Sequence, residues 1–267
     1  MEKSSPHHGR AHQPRKRFGQ NFLRDPAIIA RLEDAIAPSD ADHLVEIGPG
    51  LGALTEALLQ SGCRLDAIEL DRDLVTPLLA AFSIYPGFHL HSADALKFDY
   101  AALADKGEQL RVVGNLPYNI STPLIFRLLE NAAFVTDMHF MLQLEVVQRL
   151  TAEPGSKHWG RLGIMAQYRC QTELLFEVPP ESFDPPPKVQ SAIVRLTPHT
   201  ESPWPDCNEA ALETVVRAAF AQRRKTLRNN LKMLLSDEDL TRLAIDPSCR
   251  AETLTLDQFV ALASLLR

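Results

Sequence analysis

Cysteine is scarce in this chain, and the placement of the few excludes more than their number does. Cys63, Cys170, Cys207 and Cys249 are far apart and form no Cys-x-x-Cys pair. That pattern leaves no disulfide framework and no thiolate zinc site, and it fits a reducing, cytoplasmic compartment. Nine histidines include the alternating pair His89 and His91, but no third ligand accompanies them, so no metal centre is expected. Long apolar runs are missing as well: no 18-residue stretch is suited to a membrane span. The basic N-terminus lacks the apolar segment of a signal peptide. With no internal repeat, no heptad and no obvious exposed apolar face, a monomer is the expectation.

An overall excess of positive charge is also absent. Net charge is −6, which taken alone argues against a nucleic-acid partner. The distribution argues the other way. Residues 1–24 carry six Lys/Arg against Glu2, a balance of +5, and residues 217–232 carry six more and no acid. The rest of the chain therefore holds −17. Two basic segments on an acidic body suit contact with phosphates, although solvated charged faces give the same pattern.

What is present is a regular alternation of strand-like and helix-like stretches. At 267 residues and 45% hydrophobic, the chain can bury one good core and a smaller appendage. Asp25 and Pro26 open a helix with Ile28, Ile29, Leu32 and Ile36 on one face. HLVEI (43–47) reads as a buried strand and GPGLG (48–52) as the turn into a helix ending near Gln60. LDAIEL (65–70), FHLHSAD (88–94), LRVVGN (110–115) and MHFMLQ (138–143) supply four further strands. Pro77 is expected to kink or shorten the helix that starts at Asp71. Helices are expected from about Glu145 and over 160–169; ELLFEV (173–178) and QSAIVRL (190–196) then flank the loop PPESFDPPPKV as an antiparallel edge. The whole predicts an α/β fold: a doubly wound, mostly parallel, seven-stranded sheet.

Beyond the Pro-rich stretch PHTESPWP (198–205) only helical patterns remain, over 207–221, 223–235, 237–244 and 255–266. Three regions are expected: a mobile basic arm (1–14), a sheet domain (15–200) and a small all-helical domain (201–267).

The chain is organised around NLPYNIS (115–121), which follows a buried strand. Ser121 or Thr122 can cap the next helix, with Pro123 in its first turn. An amide, a rigid Leu-Pro step and an aromatic ring are thus displayed at a strand's C-terminal end, where open parallel sheets bind ligands. The group suits methylation of an exocyclic amine. The lone pair of an adenine amino group is delocalised into the ring, which makes the nitrogen a poor nucleophile. The side-chain oxygen of Asn115 and the carbonyl of Leu116 can accept its two hydrogens and draw the lone pair out. Pro117 holds Leu116 extended, and Tyr118 can stack on a base taken out of its helix. The plainer reading is a strand-to-helix turn with Tyr118 half buried.

Gly48-Pro49-Gly50-Leu51-Gly52 lets backbone approach a nucleotide-like ligand, and it suits nicotinamide cofactors and S-adenosylmethionine equally. Glu69 closes the second strand, where a carboxylate can accept both hydroxyls of a ribose, and Asp94 closes the third, within reach of an adenine amine. A dehydrogenase would also want a general acid near the hydride, and no histidine follows a strand end in a convincing place. Methyl transfer needs neither that acid nor a metal, because it is an in-line displacement from a sulfonium helped by positioning. S-adenosylmethionine is therefore favoured over a nicotinamide cofactor.

Taken in order, RKRFGQNFL, VEIGPGLGALT, IELD, DAL, GNLPYNISTP, FMLQLEVVQRL, PPESFDPPPKVQSAIVRL and FAQRRKTLRNNL resemble the ribosomal RNA adenine dimethyltransferase family, its bacterial small-subunit members above all. The resemblance runs from about Arg15 to the C-terminus. It implies a Rossmann-like class I methyltransferase that uses S-adenosylmethionine. The implied substrate is two adjacent adenosines in the 3′-terminal hairpin loop of 16S ribosomal RNA, dimethylated within an assembling small subunit. It implies that Asn21, Leu23, Gly48, Glu69, Asp94 and Asn115 contact the donor. Leu116 and Tyr118 would serve the target base and Phe183 would stack on its other face. In that setting Arg223, Arg224, Lys225 and Arg228 would lie on a helix presented to RNA phosphates, with Leu227, Leu231 and Leu234 packed inward.

Two positions depart from the family pattern. Gly52 stands where many relatives carry Ala, which is expected to be benign; Pro77 puts the geometry of its helix in question. The rival readings are a large-subunit RNA or DNA adenine methyltransferase, an assembly factor whose catalysis is incidental, and a nicotinamide-binding oxidoreductase.

Overall fold

The computed structural model describes residues 20–104, 107–118, 120–130 and 132–266. The expected arm at 1–14 lies outside them. The chain begins with β1 (Phe22–Leu23), α1 (Pro26–Ile36), β2 (His43–Ile47), α2 (Ala53–Gln60), β3 (Arg64–Glu69), α3 (Arg72–Phe82) and β4 (Phe88–Ser92). After β5 (Leu110–Asn115) come α4 (Ser121–Glu130), β6 (Val135–Gln143), α5 (Leu144–Leu150) and α6 (Arg161–Arg169). Three strands follow, β7 (Cys170–Val178), β8 (Phe183–Asp184) and β9 (Ser191–Pro198), and then α7 (Glu209–Ala219), α8 (Leu227–Leu231), α9 (Asp237–Arg242) and α10 (Leu256–Ala263).

Seven strands form one sheet in the order β4-β3-β2-β5-β6-β9-β7. The first five are parallel, and β9 runs antiparallel to both β6 and β7. The near-continuous apolar runs of β2, β3 and β5 reflect burial on both faces. One face packs on Leu124, Leu128, Val147 and Leu162 of α4 to α6. The other packs on Ile28, Leu32, Leu58 and Leu78 of α1 to α3. Both halves of the expected architecture are present, the doubly wound parallel sheet and its antiparallel edge.

Polar clips tie neighbouring strands together. The buried Asp66 carboxylate joins His43 at 2.7 Å and His91 at 2.6 Å, which gives His91 a structural role. Arg111 forks onto Asp137 and reaches the Ile36 carbonyl at 2.6 Å, satisfying the last turn of α1.

Two expectations about helices need correction. Of the kink or shortening expected at Pro77, the shortening does not occur: α3 runs on to Phe82 with Asp71 as N-cap. Pro77 has no amide to offer the helix, and both it and the residue one turn earlier, Asp73, are exposed, so the helix meets it on its solvent side. The basic segment is not one helix: residues 220–226 form turns, and α8 covers only Leu227–Leu231. The amides that would continue the helix upstream are taken by a neighbouring segment. Leu227 donates to the Cys249 carbonyl at 2.8 Å and Arg228 to that of Pro247 at 3.0 Å. Leu227 and Leu231 are buried as expected, Leu234 is partly buried against the same core, and Leu235 is buried beside it.

Candidate active site

The sheet changes direction of winding between β2 and β5, and the ends of β4, β3, β2 and β5 stand side by side. This is the crevice where doubly wound sheets bind ligands. Backbone contact at the crevice is close: a Cβ on Gly114 would sit 2.5 Å from the Ile47 carbonyl, so only glycine lets β5 approach β2 this tightly. A cavity of about 310 Å³ opens there, and Gly48, Glu69, Asp94, Asn115, Leu116 and Tyr118 all line it.

Each of these groups is held by its own element. The Asn115 amide donates to the Asn21 carbonyl at 2.8 Å, which fixes its NH₂ and leaves Oδ1 as an acceptor. Leu116 is buried, and its amide donates to the Met141 carbonyl at 3.2 Å. Glu69 is buried at the end of β3, with one carboxylate oxygen 2.7 Å from the Asp71 amide. Burial pushes its carboxyl above the usual range, against the pull of the Asp71 and Gly50 amides. Asp94 lies two residues beyond the end of β4 and accepts from the Leu96 amide at 3.0 Å. Tyr118 is half buried, with its hydroxyl 2.9 Å from Ser191 Oγ. Ser121 does not cap α4 from outside: it is the first helical residue, and its hydroxyl turns back to the Tyr118 carbonyl at 3.2 Å.

Besides the expected Asn21, the cavity has two wall residues that sequence reading missed, Gln20 and Phe22. Strands β1 and β8, two residues each, pair antiparallel with Phe22 opposite Asp184 and Leu23 opposite Phe183. This pairing lays Gln20, Asn21 and Phe22 across the cavity. Gln20 donates to the Asp71 carboxylate at 3.0 Å and ties the segment to the start of α3. The same pairing moves two expected contacts away. Phe183 is 1% exposed within the core beside α1, so its ring is core and not a cavity wall. Leu23 is buried too and borders only a small adjoining pocket beneath the glycine loop.

That adjoining pocket is also lined by Glu46, a buried carboxyl inside β2 that accepts from the Thr55 hydroxyl at 2.6 Å. Burial pushes it up to about 7; the Thr55 hydrogen bond opposes this and nearby Glu69 adds to it. Its sequence signal was an acid in the middle of an apolar strand. Gly52, expected to be an indifferent substitute for Ala, has φ +85° and no room for a side chain: a Cβ would stand 2.7 Å from Phe82 Cζ.

The walls combine Ile47, Ile68, Ala95 and Leu116 with the acceptors Glu69, Asp94 and Asn115. Among the described residues, no His, Cys, Lys or Arg lines the cavity. Such a site binds a ligand with an apolar body and several donors, and acts on it by positioning, not through a nucleophile or a strong base. S-adenosylmethionine has that chemistry: ribose hydroxyls and an adenine amine to donate, with apolar faces between them.

Of the four basic residues expected to face RNA, all are exposed, but only two are free of ion pairs among the described residues. Arg223 pairs with Glu252 at 3.4 Å and donates to the Lys157 carbonyl, and Arg228 pairs with Asp237 at 2.6 Å. Arg224 and Lys225 have no ion-pair partner among the described residues, nor has Lys232 beside them.

Comparison with known proteins agrees with this geometry. The chain is 60% identical over 255 residues to ribosomal RNA small subunit methyltransferase A of Pseudomonas aeruginosa, a match covering 96% of this chain and 95% of that protein. It is 57% identical to the protein of that name from Saccharophagus degradans, with the same two coverages. Among solved structures, a dimethyladenosine transferase from Plasmodium falciparum superposes with a TM-score of 0.78 at 26% identity, covering 90% of this chain and 95% of that one. The 23S rRNA methyltransferase ErmE gives 0.73, also at 26% identity, covering 92% and 99%. The model of the ribosomal RNA adenine dimethylase family matches residues 11–267. A sheet whose strand ends converge on Asn115, and a match spanning nearly every residue, lead to one conclusion: the chain belongs to the ribosomal RNA adenine dimethylase family.

Proposed function

We propose that this protein uses S-adenosylmethionine to dimethylate the exocyclic amines of two adjacent adenosines in the 3′-terminal hairpin loop of 16S ribosomal RNA. It does so as a cytoplasmic monomer acting on an assembling small subunit. The observation that carries the reading is the fixed amide of Asn115 beside the glycine loop and Glu69. When bound, the cofactor supplies an electrophilic methyl group on a sulfonium. Glu69 accepts from its ribose hydroxyls, Asp94 from its adenine amine, and Gly48 and Asn21 border it.

The protein's part is to make the adenine amine nucleophilic and aim it. Asn115 Oδ1 and the Leu116 carbonyl accept the two amine hydrogens, which draws the lone pair out of the ring. The Asn21 carbonyl prevents the Asn115 amide from flipping to present its NH₂ instead. Pro117 keeps the Leu116 carbonyl on its line, and Tyr118 stacks on the extruded base. The small-subunit substrate is favoured because relatives at 57–60% identity bear that name, whereas the large-subunit neighbour stands at 26%.

The test is labelled methyl transfer to unmethylated small subunits, with naked RNA, large-subunit RNA and duplex DNA alongside, and mass spectrometry of the nucleosides. Dimethyladenosine on small subunits only is expected. Asn115→Ala should lower the rate by about 100-fold or more, the usual effect of removing one preorganised polar group at a reacting centre. Label on DNA or large-subunit RNA would sink the substrate assignment. An Asn115→Ala enzyme at full rate would sink the mechanism.

A further inference from the structure

The hydroxyl of Tyr118 meets the hydroxyl of Ser191 at 2.9 Å. Ser191 is fully buried, and Tyr118 is the only hydrogen-bond partner of its side chain among the described residues. The two residues come from separate parts of the site. Tyr118 lies in the loop after β5, and Ser191 is the first residue of β9, where the Pro-rich loop ends.

We infer that Ser191 is a positioning residue for methyl transfer: its hydroxyl fixes the angle at which the Tyr118 ring meets the target base. The inference rests on the reading that Tyr118 serves that base. Three observations carry it. First, Tyr118 is only half buried, so packing restrains one side of the ring and leaves the cavity side open. A ring held on one side keeps freedom about its two side-chain torsions, and a hydrogen bond at its far end removes most of that freedom.

Second, the anchor is rigid. Ser191 pairs with Gln143 of β6 on one side and Val178 of β7 on the other, so it is part of the sheet and not of a loop. The carbonyl of the preceding residue, Gln190, accepts from the Leu144 amide at 2.9 Å and fixes the approach to the strand. Third, among the described residues no other ring on the cavity wall shares the task. Phe183 is in the core, and Phe22, the other ring on the cavity wall, is 9% exposed and tied into β1. Among the described residues Tyr118 is therefore the ring available to meet a base, and Ser191 is what holds it.

The experiment compares Ser191→Ala, Tyr118→Phe, their double variant and Tyr118→Ala in single-turnover and steady-state transfer to unmethylated small subunits. Donor affinity by calorimetry and the thermal midpoint are measured on each. Removing the anchor misplaces the base in the transition state rather than weakening subunit binding. Ser191→Ala should therefore lower kcat by about tenfold with KM for subunits and donor affinity within twofold. Tyr118→Phe, which keeps the ring and loses one oxygen, should do the same. The double variant should be no slower than either single one, because both remove one bond.

Additive losses, or a fall in kcat that tracks loss of donor affinity and thermal midpoint, would overturn the proposal and leave the pair a structural tie. So would a Ser191→Ala enzyme at full rate beside an inactive Tyr118→Ala. If Tyr118→Ala itself transfers normally, the reading of Tyr118 fails and the proposal falls with it.

Discussion

At the scale of single residues, Glu46 shows how the site burdens the fold that holds it. Its carboxyl is 2% exposed, has one hydroxyl donor in Thr55, and shares its surroundings with Glu69. Its pKa rises from 4.5 to about 7 on folding, so the folded state holds this proton more tightly than the unfolded chain does. The stability it contributes is therefore fully present below about 4.5 and is lost as pH rises through about 7. A shift of that size corresponds to about 3 kcal/mol. Glu46→Gln keeps an oxygen for the Thr55 hydroxyl and removes the titration. Urea midpoints at pH 5 and pH 8 should then fall with pH for the wild type by more than for the variant, a difference of up to about 3 kcal/mol. Parallel profiles would show that Glu46 titrates like an exposed acid.

At the scale of elements, α2 and α3 meet at a point where one residue decides the other. Gly52 opens α2 in a left-handed conformation with the Phe82 ring at the end of α3 filling the space beside it. Gly52→Ala adds backbone strain of about 1–2 kcal/mol and overpacking of about 1–3 kcal/mol. A loss of about 3 kcal/mol in chemical denaturation is expected, partly recovered by adding Phe82→Leu. No recovery would place the whole effect in the backbone.

A second prediction at this scale concerns the basic turn. Arg223 and Arg228 spend charge on Glu252 and Asp237, whereas Arg224, Lys225 and Lys232 do not. Alanine at those three should weaken subunit binding and lower the slope of log K against log salt by about 2–3. Donor affinity should be unchanged, and equal loss of both would mark the segment as structural.

These elements also show what the sequence discloses and what it hides. Strands β2, β3 and β5 were legible because burial on both faces leaves long apolar runs, and the edge strands β4 and β7 because β-branched, aromatic and apolar residues recur between turn signals. The cavity residues Gly48, Glu69, Asp94 and Asn115 were legible because each lies at or just beyond the C-terminal end of a strand. The β1–β8 pairing was not: two residues per strand, 160 apart, leave no periodic trace, and that pairing is what took Phe183 and Leu23 from the cavity. The start of α8 was hidden for a related reason, since the carbonyls that end its helical pattern belong to residues 247–249.

At the scale of the whole molecule, the helical C-terminal region shares a core with the sheet region. One side of α6 places Leu162 and Ala166 under the sheet; the other places Ile164 and Met165, with Trp159 just before it, among Leu212, Val216, Leu231 and Phe259. Polar ties cross at the same place: Trp159 donates to the Leu254 carbonyl at 2.8 Å, and Arg169 reaches Glu209 at 2.6 Å. Cutting the chain after residue 200 would uncover Trp159, Ile164 and Met165 together. At about 2 kcal/mol for each large apolar side chain, ~6 kcal/mol of burial is lost, comparable with the roughly 5–15 kcal/mol that holds an ordinary domain folded. The fragment is therefore expected to bind apolar dyes, melt well below the full chain and aggregate. Truncation also removes Trp204, so Trp159 becomes the sole tryptophan and its emission should shift to the red. Replacing Trp159 and Ile164 with Gln and Glu should restore solubility to the fragment without restoring subunit binding. A fragment that melts with the full chain and keeps blue emission would show that the sheet region stands alone and the helices are an appendage.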